Sequence, residues 1–231
     1  MAQFGGFQRL PIVIKNLLII NGIVWLIQIT FGKYFRVEDF FALHDIHSPL
    51  FKPHQLITHM FMHDPTGPMH IIFNMLALWM FGSILENVWG PKRFLTFYLI
   101  CGLGAAVSHL SVLWFHNAET INWFNNLDSY QQAAQLPELS AQINEATLGA
   151  SGAVFGCLAA FAYLFPNTPI YLYFLFPIKA KWLILLLTVF ELTAGIRATA
   201  GDNVAHFAHL GGGLVGFLIV YYWNRTNKNF Y

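Results

Sequence analysis

Ser151 lies between glycines in Gly149-Ala150-Ser151-Gly152-Ala153-Val154-Phe155-Gly156, and His209 opens a second glycine-rich stretch, His209-Leu210-Gly211-Gly212-Gly213-Leu214-Val215-Gly216. A serine hydroxyl is a weak nucleophile until a base within hydrogen-bond reach takes its proton. Neutral histidine can be that base and can later protonate a leaving amine. The pairing suggests acyl transfer by a Ser151–His209 dyad. Serine beside glycine is also common at close helix contacts in lipid, where small residues let backbones approach. The choice between these roles depends on where the rest of the chain puts the two side chains.

Other residues fit the same chemistry. His70 and Asn74 are four apart, hence one turn apart on one helix face, and both can donate hydrogen bonds. With the backbone N–H of Ser151 they form a candidate oxyanion hole, in which one donor is typically worth about 2.7–4 kcal/mol of transition-state stabilisation. Phe155, one turn after Ser151, is placed to stack on the His209 ring and fix it. No carboxylate is evident as a third member: Asp202, seven residues before His209, would lie about 10 Å away along a helix axis. Glu191, near the outer end of its helix, reads as an interfacial residue, with contact to the gate or the site as the alternative. His206 and His209 hint at a metal pair, but without an acidic ligand in the HExxH pattern no metal is expected, and His206 reads as structural.

Composition sets the solvent in which this chemistry would run. Of 231 residues, 56% are hydrophobic, 17% aromatic and 10% charged, against roughly 25% charged in a soluble domain. The chain reads as an integral membrane protein whose first partner is the lipid bilayer. A net charge of +1 with no basic run excludes nucleic-acid binding. Cys101 and Cys157 both fall in apolar stretches, so a disulfide framework is not expected.

Crossing about 30 Å of hydrocarbon takes roughly 20 helical residues. Four stretches qualify, at residues 69–88, 94–115, 148–165 and 204–223; two shorter ones, 16–31 and 181–195, are extended by snorkelling lysines at 15, 179 and 181. The expected fold is an all-α, six-span bundle forming one domain over residues 1–231, with its first helix retained and not cleaved as a signal. With the amino terminus inside, eight of the twelve Lys and Arg residues fall on inner segments, which favours both termini on the cytoplasmic side. The connector 116–147, which lacks Lys and Arg, then faces outward. In this topology the second, fourth and sixth helices all enter from the outer side, so His70, Asn74, Ser151 and His209 share a layer within the outer ~10 Å of the core. Polar groups at such depth are costly and mark function by default. Gly152 and Gly156 on the fourth helix and Gly212 and Gly216 on the sixth make two G-x-x-x-G faces whose contact would bring serine and histidine within reach.

These motifs, in this order and topology, resemble the rhomboid intramembrane serine proteases: Gly149-Ala150-Ser151-Gly152 on a fourth helix, His70-x-x-x-Asn74 opening a second, and His209-x-x-Gly212-x-x-x-Gly216 opening a sixth. The resemblance covers residues 12–223. It implies cleavage of transmembrane protein substrates near the outer face, no cofactor, a bacterial cytoplasmic membrane, a cap formed by residues 195–203 and a fifth helix acting as a lateral gate. It leaves the oligomeric state open. A catalytically silent relative that binds membrane clients is the alternative; such a chain should lack Ser151 or His209. The Trp-Arg pair often found in the family's first outer loop is replaced here by Phe35-Arg36 and Glu38-Asp39-Phe40, and the approach to the second helix, residues 63–68, is broken by Pro65, Gly67 and Pro68. His44, His47, His54, His59 and His63 in that loop read as interfacial or surface residues. Glu86 reads as a partner of Lys92 or Arg93.

Overall fold

The computed structural model describes residues 10–172, 176–197 and 205–226. It is mostly helical. Helix α1 (Ile12–Phe35) has 24 residues, longer at both ends than the stretch 16–31 expected from hydropathy, and spans about 36 Å at 1.5 Å per residue. Its buried residues, Ile14, Leu17, Asn21 and Gln28, recur at intervals of three, four and seven. They form a narrow inward stripe on an otherwise outward-facing helix. Its first N–H groups would be orphans; those of Val13 and Ile14 donate to the two carboxylate oxygens of buried Glu86, at 2.9 Å each. Glu86 therefore caps the foot of α1, where a negative charge complements the helix dipole.

The segment from Met69 to Trp89 is a continuous 21-residue span made of α4 (Met69–Ala77), a π turn (Leu78–Gly82) and α5 (Ser83–Trp89). Gly90, at φ 78°, ends it, and Pro91 takes the first position of α6 (Pro91–Asn125). At 35 residues α6 is about 52 Å long, well beyond the hydrocarbon thickness. The connector 116–147 is therefore largely helical. It comprises the overhang of α6 and helix α7 (Ser129–Ile143), which starts at a reciprocal capping box of Asp128 and Gln131. Helices α8 (Ser151–Leu164), α9 (Ala180–Arg197) and α10 (His206–Thr226) complete the set. Between α8 and α9 two short strands, β1 (Pro169–Leu172) and β2 (Phe176–Lys179), pair antiparallel with Pro169 opposite Lys179.

By length and hydropathy, three helices among the described residues suit a membrane crossing: Ile12–Phe35, Met69–Trp89 and Pro91–Asn125. The other three expected stretches are occupied by α8, α9 and α10. Helix α8 lies at the centre, packed between α6 and α10, with ten of its fourteen residues buried. Its fourteen residues cover only about 21 Å. Enclosure by protein removes the need to match the bilayer.

The polar segments between the helices are tied together and not left as loose loops. In the region between α1 and α4 lie α2 (Val37–Phe41) and α3 (Gln55–Thr58), the latter followed by a 3-10 turn, His59–Phe61. Leu43 and Thr147 exchange backbone hydrogen bonds at 2.8 Å, joining this loop to the connector. Asn117 of α6 donates to Asp45 and accepts from Gln142 of α7, both at 2.8 Å. Of the five loop histidines expected at the surface, His44, His59 and His63 are buried. Burial pushes His59 and His63 down to about 4, so both rings are neutral at pH 7.

Candidate active site

Ser151 is the first residue of α8, where backbone N–H groups lack intrahelical acceptors and the positive end of the helix dipole is exposed. Gly149, two residues earlier, has φ 138°, a conformation that L side chains rarely adopt. Its N–H donates to the carbonyl of His59 at 3.0 Å, which anchors the entry to α8 on the first loop. A Cβ at Gly149 would stand 3.1 Å from the His70 ring. Glycine is thus what lets His70 approach the serine.

His209 lies one turn into α10, and its Nε2 is 2.7 Å from Ser151 Oγ. The reach depends on backbone proximity between α8 and α10. A Cβ on Gly212 would fall 2.0 Å from the carbonyl oxygen of Gly152, and one on Gly216 would fall 2.7 Å from Gly156 Cα. The two G-x-x-x-G faces inferred from the sequence do meet. Phe155 stacks on the His209 imidazole with centroids 4.5 Å apart and planes within 4°, which limits rotation of the ring.

The approach to α4 is held by α1. Trp25 Nε1 donates to the carbonyl of Asp64 at 3.0 Å, and Gln28 exchanges two hydrogen bonds with the backbone of His63, at 2.8 and 2.9 Å. Asp64 in turn donates its N–H to His70 Nδ1 at 3.2 Å. In a neutral ring this leaves the proton on Nε2, which with Cε1 faces Gly149 and the serine. Asn74 is buried and donates to the carbonyl of His70 at 2.9 Å. One amide hydrogen is thereby engaged in its own helix and the second is left for other acceptors.

The carboxylate read first as interfacial stands behind the histidine. Glu191 of α9 is 6% exposed. Its Oε2 is 2.6 Å from Nδ1 of His206 and 3.1 Å from Nδ1 of His209. The first contact is a short hydrogen bond; the second is within ion-pair reach but off the N–H axis, so His209 Nδ1 has no aligned partner. Glu191 is therefore not interfacial as expected, and a carboxylate does adjoin the base. The available signal was the cost of an acidic residue inside an apolar helix, which demands a partner. Asp202 and most of the expected cap, 198–203, lie outside the described residues. Among the described residues no group of three His, Cys, Asp or Glu is arranged to hold a metal ion.

Next to Ser151 is a cavity of about 20 Å³ whose lining includes His59, His109, Thr147 and Gly149. His109 Nε2 and Thr147 Oγ1 are 2.7 Å apart on its wall. That volume suits one water molecule with polar neighbours.

Taken together, the arrangement can activate a hydroxyl, accept its proton and stabilise an oxyanion beside it. Comparison with known proteins identifies the family of the chain and not its chemistry. The family model of the Rhomboid domain matches residues 51–226. RHOMBOID-like protein 12, mitochondrial, of Arabidopsis thaliana is 31% identical over 98% of this chain and 65% of its own length. Rhomboid protein 1, mitochondrial, of Saccharomyces cerevisiae is 34% identical over 68% of this chain and 38% of its own. Rhomboid protease GluP of Bacillus subtilis is 28% identical over 70% of this chain and 24% of its own. The chain thus spans between a quarter and two thirds of the length of these relatives. The relatives named as mitochondrial overturn the expectation of a bacterial cytoplasmic membrane. With the domain matched over three quarters of its residues and a relative above 30% identity along nearly all of it, the chain belongs to the rhomboid family.

Proposed function

We propose that the chain is an intramembrane serine endopeptidase that cuts transmembrane segments of other membrane proteins. The observation that carries this reading is the 2.7 Å contact between Ser151 Oγ and His209 Nε2, with the ring clamped by Phe155. In this reading six helices span the bilayer as a single functional unit over residues 1–231, both termini lie on one side, and the serine opens toward the other. A peptide carbonyl enters beside Ser151. His209 Nε2 takes the hydroxyl proton as Oγ bonds to the carbonyl carbon, and the charge passes to the carbonyl oxygen. His70 Nε2–H, the free amide hydrogen of Asn74 and the Ser151 N–H stabilise that oxyanion. As the C–N bond breaks, His209 returns its proton to the leaving amine. A water from the cavity at His59 and His109 then attacks the acyl carbon, His209 taking its proton; the bond from that carbon to Ser151 Oγ breaks, and His209 returns the proton to Oγ as the carboxylic acid leaves. Gly149 supports the site by admitting His70, and Gly152 by letting the serine end of α8 lie against Ala105 of α6.

The test is cleavage of a model transmembrane substrate in proteoliposomes by wild type, Ser151→Ala and His209→Ala. Both variants should be folded and inactive. Normal cleavage by either one would remove the proposed dyad.

A further inference from the structure

Glu191 does not belong to the Ser151–His209 pair, yet its placement is costly and specific. It is one of only two buried residues in α9; the other is Ala180. A carboxylate in an apolar helix is expensive unless partnered, and both partners come from one face of α10. For His209 Nε2 to accept the serine proton, the neutral ring must carry its hydrogen on Nδ1. Nδ1 is the atom that faces Glu191, at 3.1 Å. The shorter bond, 2.6 Å to His206 Nδ1, holds the carboxylate in that position. Among the described residues, His70 of α4 and His109 of α6 also act electrostatically on His209, and neither contributes a negative charge.

We propose that Glu191 is a positioning residue for His209: anchored by His206, its carboxylate keeps the His209 hydrogen on Nδ1 and stabilises the ring once it is charged, giving a relay of Ser151, His209 and Glu191. The inference rests on the proteolytic reading above. When the serine proton moves to Nε2, the Nδ1 hydrogen stays in place, the ring becomes an imidazolium and Glu191 remains a carboxylate. No proton reaches Glu191. The off-axis contact tightens as the ring acquires charge, because a charge-assisted hydrogen bond is stronger than a neutral one. Since the carboxylate is delivered by a helix whose other side chains mostly face outward, the orientation of the base depends on where α9 sits.

Glu191→Gln keeps the shape and removes the charge. It should lower kcat roughly 10-fold or more with KM little changed, as expected for a group that acts on the base in the transition state. A second measurement needs no variant: in 15N-histidine spectra of the wild-type protein in micelles, assigned with His209→Gln, neutral His209 should be the Nδ1–H tautomer. Glu191→Gln should turn that signal into a tautomer mixture, and Glu191→Asp should restore part of both kcat and tautomer. Unchanged kcat in Glu191→Gln, equal changes in kcat and KM, or an Nε2–H tautomer in wild type would each overturn the proposal. If the wild type neither cleaves substrate nor labels at Ser151, the proteolytic reading fails by itself, and the tautomer still decides whether Glu191 positions the ring.

Discussion

Helices α8 and α9 meet His209 from different sides and are held in opposite ways. Ten of the fourteen residues of α8 are buried, and its glycines touch the backbone of α10 directly. Only two of the eighteen residues of α9 are buried, while Leu185, Leu186, Val189, Phe190 and Ile196 all face outward. The distance between nucleophile and base is therefore set by backbone against backbone, which has little freedom to change. The contact between carboxylate and base hangs on one side chain. The first is a fixed feature of the fold and the second is adjustable.

The largest effect should come from breaking the locked face. Gly212→Val places side-chain carbon where only 2.0 Å separates a Cβ from the Gly152 carbonyl. Helices α8 and α10 would have to part, so cleavage and Ser151 labelling should both be lost and the melting temperature in micelles should fall. Wild-type activity in this variant would mean that the faces do not lock. Asn74→Ala leaves that face intact and removes one oxyanion donor. Its kcat should drop roughly 100-fold, in line with about 2.7–4 kcal/mol per donor, with substrate binding nearly unchanged; an unaltered kcat would exclude Asn74 from the hole.

Acid should loosen the serine end of α8 more gently. The ring of His59 is held down to about 4 by burial, and its carbonyl anchors Gly149. Because its folded value lies below the unfolded 6.5, the unfolded state binds the proton more readily. The associated stability is complete above about 6.5 and declines as pH falls toward 4. Thermal unfolding followed from pH 7 to 4 should show this decline, and His59→Gln should make it shallower, with His63 keeping its own share. Smallest of all should be Leu186→Ala on α9. This residue is 59% exposed, so stability and kcat should stay within experimental error of wild type, whereas Leu158→Ala on α8 should destabilise measurably. Comparable losses in the two variants would erase the contrast between the helices.

What could be read from the chain follows the same division. Ser151, Phe155 and the paired glycines are related by one turn of a single helix, and small residues at four-residue spacing leave few ways for α8 and α10 to meet. His209 joined them because helices of like direction put their first turns at one depth. Contacts made by long side chains across the fold were not legible. Glu86 has Lys92 and Arg93 near it in sequence, but the orphan N–H groups of Val13 and Ile14 hold it instead. Glu191 looked interfacial because nothing in the sequence orients α9 about its axis. The polar composition of residues 116–147 marked a connector but not its structure, although Asp128 and Gln131 at capping-box spacing signal a helix start. The loop histidines were assigned to the surface by polarity, whereas the first loop closes on the connector and buries three of them.

The central claim is that His209 activates Ser151. The most direct measurement is the rate of labelling by a serine-directed fluorophosphonate, which needs no knowledge of the substrate, in wild type, Ser151→Ala and His209→Ala. The account predicts labelling of the wild type only, with adduct mass on the peptide containing Ser151. Equal labelling of wild type and His209→Ala, or adduct elsewhere in the chain, would contradict it.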